Sequence, residues 1–227
     1  MRSPHLPLVG VLVALTGPHA GCVAPPLGFG SSPRIAAGPG RSSLEGRTAV
    51  AVGPGRQTYQ AELSGTFRVR RWFAIESGVA ITRVQQDQDD GDGDVALTGA
   101  FPFLRPRFFI DRVSLAIGLS GFGFGGGGGG FVGGIADAQL GYGTEAWSLY
   151  AGAQRHYFEL VAEDPIVAST RQLRLGGQYT WLAGKSRLGL ALEVYRHDDQ
   201  LRSGNARSDA RFFAAGVKLS ISSPELR

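Results

Sequence analysis

The sequence predicts an all-β fold: a closed, antiparallel, up-and-down transmembrane β-barrel of about ten strands, with eight as the alternative count. Three observations predict it. Apolar residues alternate with small or polar ones, with period two, over most of residues 46–223. The alternating stretches run about 8–13 residues, near the length that crosses a bilayer when a strand is tilted. The connections between them are short and long by turns.

Composition points the same way. The chain has 227 residues, 35 of them Gly, and hydrophobic residues make up 43%. High Gly with recurring aromatics and few helix formers in sequence suits strands rather than an α/β enzyme. The net charge is +4, and the arginines are scattered among acids, so no nucleic-acid footprint appears. A single Cys excludes an internal disulfide.

The N-terminus reads as an address. Arg2 and His5 precede the apolar run Leu8–Leu15, too short for a membrane-spanning helix, so residues 1–21 are read as a signal peptide. Ala20-Gly21-Cys22 then resembles the lipobox of bacterial lipoproteins, although His19 stands where that box usually has Leu. The resemblance implies lipid attachment at Cys22, and Val23 after it is consistent with sorting to an outer membrane. Residues 22–45, rich in Pro, Gly and Ser, are read as a flexible linker.

The strands follow in order at roughly 47–53, 58–69, 72–84, 95–108, 112–122, 131–142, 147–159, 170–182, 186–197 and 209–221. In the second, Ala61, Leu63, Phe67 and Val69 oppose Gln60, Glu62, Ser64, Thr66 and Arg68. In the third, Phe73, Ile75, Val79 and Ile81 oppose Ala74, Glu76, Gly78, Ala80 and Thr82. The fifth sets Val113, Leu115, Ile117 and Leu119 against Ser114, Ala116, Gly118 and Ser120. In the eighth, Leu173, Leu175, Tyr179 and Trp181 share a face opposite Arg174 and Gln178. The ninth opposes Leu188, Leu190, Leu192 and Val194 to Gly189, Ala191, Glu193 and Tyr195. The last sets Phe213, Val217, Leu219 and Ile221 against Gly216, Lys218 and Ser220.

Short connections are expected at Arg70-Arg71, Ile110-Asp111, Gly143–Glu145 and Ala183–Lys185, and long polar ones at 85–94, 123–130, 161–169 and 198–208. An even strand count with short turns beside the termini places both ends on the periplasmic side. Trp72, Trp147 and Trp181 fall next to short turns, where interfacial aromatics belong.

On units such as Gly65–Glu76, strand, two-residue turn and strand, residues 46–223 resemble the small outer-membrane β-barrels of the OmpA and OmpX type. The resemblance implies a bacterial outer-membrane location, with membrane lipids and the barrel assembly machinery as partners. The chain departs from many of these barrels in ending Ser222–Arg227 without a terminal aromatic. The rival fold is a periplasmic, lipocalin-like barrel with its apolar face inward, binding an apolar ligand. The polar face decides between them: small residues with isolated charges suit a narrow bore. The expected lumen charges are Glu62, Arg68, Glu76, Arg174, Glu193 and Lys218.

No chemical constellation stands out. Asp87–Asp94 is acidic but lacks the distal Glu of a Ca²⁺ loop, so it is read as a solvated loop. His197-Asp198-Asp199, facing Asp89, Asp90 or Asp92 across the barrel, would resemble the Asp and Asp–His pairs of omptin proteases. His156 with Glu159 or Ser169 would suit a lipid-acting hydrolase. Gly125–Gly130 lacks the Lys-Ser/Thr of a phosphate loop and is read as a flexible loop or a strand end. The expectation is therefore a non-catalytic barrel without cofactor or metal, with a structural, adhesive or narrow-pore role. The barrel enzyme and the periplasmic ligand binder are the alternatives.

Overall fold

A computed structural model describes residues 42–54, 56–86, 95–126, 129–144, 146–160, 166–203 and 206–223. Ten strands form: β1 (Ser42–Gly53), β2 (Arg56–Arg70), β3 (Phe73–Gln86), β4 (Val95–Ile110), β5 (Val113–Gly126), β6 (Gly129–Gly143), β7 (Trp147–Leu160), β8 (Ile166–Ala183), β9 (Ser186–Ser203) and β10 (Ala206–Ser222). Each pairs antiparallel with its chain neighbours, and β1 pairs with β10, so the sheet closes into a barrel.

The register fixes the barrel's size. The direct pairing from Leu182 on β8 runs through Arg187, Ser222, Glu45, Ser64, Gly78, Phe103, Ser120, Ile135 and His156. It returns to β8 at Thr170, a stagger of 12 residues around the wall. A stagger slightly above the strand number tilts the strands by about 40° and leaves a bore narrow enough for side chains to fill.

Parity does the rest. Outward positions carry Leu63, Ile81, Leu119, Leu175, Leu192 and Val217, all exposed, while the positions between them are buried inside. Apolar residues on the outside and ionic ones within invert the soluble lipocalin-like arrangement and exclude it. Trp72 stacks on Phe108, Trp147 lies 5.9 Å from Tyr142, and Trp181 lies 6.2 Å from Tyr179 by ring centroids. These rings girdle the end that holds the short turns and both strand termini.

Six strand ends differ most from expectation. β1 begins at Ser42, five residues before the expected start at 47, because Ser42–Glu45 continue the ladder with Ser64–Phe67. Its composition suited a linker, yet register recruits it. Ser223 also clasps β1: its amide donates to the Leu44 carbonyl at 2.8 Å, and its hydroxyl accepts from the Leu44 amide at 3.0 Å. At the opposite, loop end, β5 and β6 run on until Gly126 pairs with Gly129, and β9 and β10 until Ser203 pairs with Ala206. β8 likewise starts at Ile166. The expected loops at 123–130 and 198–208 are thus largely strand, and that at 161–169 is strand from Ile166 on. A ladder wet on both faces needs no greasy alternation, so its continuation leaves little periodic signal.

β4 carries Pro102 and Pro106 inside the sheet. Both pair with β3, opposite Val79 and Ile75, while the ladder with β5 skips residues 101–102 and 105–106. The missing amides face the side where pairing lapses.

Candidate functional site

Inside the barrel a band of charges links most of the wall. Arg47 on β1 bonds Glu62 on β2 closely, Glu76 on β3 at 3.1 Å and Glu45 at 2.7 Å. Glu76 also accepts Arg107 at 2.7 Å and meets Arg105 at 3.4 Å, both from β4. Arg105 reaches Asp137 on β6 at 3.3 Å. From the other side, Arg174 on β8 donates to Gln139 at 2.9 Å and lies 3.9 Å from Asp137. A second cluster centres on Glu193 of β9, which accepts from Tyr150 at 2.6 Å, from Lys218 at 2.7 Å and, closely, from Tyr195.

Several of these bonds reach past a neighbouring strand, and glycine makes the passage. Arg105 and Asp137 meet over β5 at Gly118, where an added Cβ would collide with the Asp137 carboxylate. Arg174 passes β7 at Gly152, where a Cβ would stand 2.5 Å from its Nε. Tyr150 and Glu193 meet over β8 at Gly176, where a Cβ would come within 2.7 Å of the Tyr150 ring and 2.8 Å of Glu193. Each glycine is directly paired with at least one partner it admits: Gly118 with Asp137, Gly152 with Gln139 and Arg174, and Gly176 with Tyr150 and Glu193.

Of the residues expected in the lumen, Glu62, Glu76, Arg174, Glu193 and Lys218 lie in this band, buried. Arg68 lies apart near the turn end, half-buried, donating to the Arg71 carbonyl at 2.6 Å with its guanidinium 5.2 Å from the Phe109 ring. Sequence reasoning missed Arg47, Arg105, Arg107 and Asp137. Strand parity was the available signal for all four. Cys22 and Asp87–Asp94 lie outside the described residues.

Toward the loop end the interior changes character. Gln154, Gln172, His197 and Phe212 occupy one row of direct pairs across β7–β10, and His156, Thr170 and Asp199 the row above. His197 stacks on Phe212 at 4.5 Å and 11°, and His156 Nε2 lies 3.3 Å from Gln154 Oε1. Gln172 and the Thr170 hydroxyl are buried without a hydrogen-bond partner among the described residues.

Two catalytic pairings considered from sequence change here. His197-Asp198-Asp199 begins no loop: it lies within β9, with His197 and Asp199 inside and Asp198 outside. Ser169 pairs with Tyr157, and strand parity turns it to the opposite wall face from His156, so those two do not form a pair. The Glu159 side chain is outside the described set. No group of three or more His, Cys, Asp or Glu positioned for a metal occurs among the described residues.

The chain superposes on the translocator domain of the autotransporter NalP from Neisseria meningitidis with a TM-score of 0.50 at 10% identity, over 97% of this chain and 96% of that one. The fold is that of an outer-membrane β-barrel. The β domain of the Bordetella autotransporter BrkA gives 0.48 at 13% identity, over 82% and 99%. The outer-membrane protease OmpT from Escherichia coli gives 0.35 at 8%, over 81% and 95%. No protein-family model matches the sequence, and no curated protein matches it. The ionic band runs across the bore of this outer-membrane barrel.

Proposed function

We propose that this protein is a non-catalytic barrel of the bacterial outer membrane, sealed along its bore, with a structural or adhesive role rather than one in solute passage. One observation carries the reading: the side chains of Glu76 and Arg105 are 0% exposed. A water-filled channel would wet the charges that line it. Here they are spent on one another, and hydrogen-bonded pairing is what makes ionic groups tolerable in a dry interior.

The short turns and both strand termini face the periplasm in this reading, and the loop end faces outward. Surrounding lipids and the assembly machinery are the partners. Cys22, at the periplasmic end of the chain, carries a lipid anchor.

Refolded protein reconstituted in planar bilayers tests the seal. No stepwise conductance is expected, and steady open-channel steps would overturn the proposal. For the anchor, labelled palmitate is expected on the full chain and lost in Cys22→Ala; equal labelling of both would remove it.

A further inference from the structure

The outer wall carries a second patterned feature, confined to one side. On β7–β10 the outward residues are apolar up to Ala153, Leu173, Val194 and Phe213. The next outward residue toward the loop end is arginine on all four strands: Arg155, Arg171, Arg196 and Arg211. The corresponding outward positions on β2, β4 and β5 are Tyr59, Thr98 and Gly121, and only Arg83 on β3 matches.

The arginines are close neighbours. Arg155 pairs directly with Arg171, Arg171 with Asp198, and Asp198 with Arg211. Asp198 bonds Arg211 at 2.5 Å and Arg196 at 3.3 Å, and Arg196 and Arg211 remain 39% and 65% exposed. Arg155 and Arg171 are exposed and have no ion-pair partner among the described residues. Only two of the four guanidinium groups thus meet a carboxylate among the described residues, and the other two stand directly opposite each other, where like charges repel. Asp209 lies two residues beyond Arg211 on the same face of β10 and is exposed.

We propose that this arginine row binds phosphate-bearing lipid headgroups of the leaflet at the loop end. The geometry supplies both halves of an anionic lipid's needs. Acyl chains lie against Leu173, Leu175, Leu192, Val194 and Phe213, and the phosphate meets Arg155 and Arg171 directly above. Guanidinium forks bond phosphate oxygens in pairs, and basic residues at a charged surface attract such lipids by about 1 kcal/mol each. A phosphate between Arg155 and Arg171 also relieves their mutual repulsion.

The site rests on the bilayer placement proposed above. The test counts lipids retained by the full chain in native mass spectrometry, after reconstitution with phosphatidylglycerol or with phosphatidylcholine. Preferential retention of phosphatidylglycerol is expected in the wild type. It should fall about five-fold for each arginine removed in Arg155→Gln and Arg171→Gln, and persist in Arg83→Gln. Equal retention of both lipids, or an equal loss in Arg83→Gln, overturns the site. Displacement by inorganic phosphate at matched concentration would make a soluble phosphate the ligand and remove the lipid assignment. Failure to insert into any bilayer would instead overturn the membrane placement itself, and heat-modifiable migration confirms that each variant is folded.

Discussion

The two polar layers of the bore solve opposite problems. In the ionic band, each carboxylate answers at least one cation, and Glu76 answers three. Nearer the loop end, the layer around Gln172 is mostly amides, hydroxyls and imidazoles with the one carboxylate of Asp199, and Gln172 and the Thr170 hydroxyl have no hydrogen-bond partner among the described residues. The first layer is therefore over-determined: removing one member takes a partner from several charges at once. The second tolerates substitution, because its buried amide gains little from the protein. Burial alone does not rank these residues, since Glu76 and Gln172 are about equally hidden.

The sharpest way to break the contrast is Glu76→Ala. It takes one carboxylate from Arg47, Arg105 and Arg107 together, and a loss of about 3–5 kcal/mol is expected, read from urea denaturation in lipid vesicles. A loss under about 1 kcal/mol would mean that the band is not a cooperative unit. Next in size is the glycine passage. Gly176→Ala should cost about 1–3 kcal/mol by forcing Tyr150 and Glu193 apart, and Gly118→Ala should act similarly on Arg105 and Asp137. Gly46→Ala, whose added Cβ would meet only Ile221 at 3.7 Å, serves as the control and should be close to neutral. The smallest effect belongs to Gln172→Leu, which removes a buried amide with no hydrogen-bond partner among the described residues. Stability should be unchanged or slightly raised. A loss above about 2 kcal/mol in the same denaturation series would show that an ordered water or ligand holds that amide.

How much of this was legible in sequence follows from the range of the interactions. Period-two alternation is local, so the ten strands, their faces and the inward direction of Glu62, Glu76, Arg174, Glu193 and Lys218 could be read from neighbouring residues. Arg105 and Arg107 could not be picked out so easily. They sit in Phe101–Phe109, where Phe101 and Phe103 point inward and two prolines interrupt the pattern, so no greasy face announces the polar one. Arg47 falls in the short, Gly-flanked first strand, and Asp137 among small residues. Partner choice was beyond reach for a further reason. That Arg105 meets Asp137 over Gly118 depends on register and on the 12-residue stagger, which are properties of the closed sheet. The loop end was misread because wet ladders lose their alternation while keeping their hydrogen bonds.

The seam between β1 and β10 has one more consequence. Its direct pairs run only from Glu45 with Ser222 to Val52 with Ala215, because β1 ends at Gly53 while β10 continues to Ala206. Along Ala206–Phe212, one flank of β10 presents amides and carbonyls to no neighbouring strand among the described residues. Hydrocarbon cannot satisfy such groups, whereas water can. The waterline on this side of the molecule therefore runs no higher than the top of β1, and the shortest strand, rather than the tallest, marks how deep the protein sits.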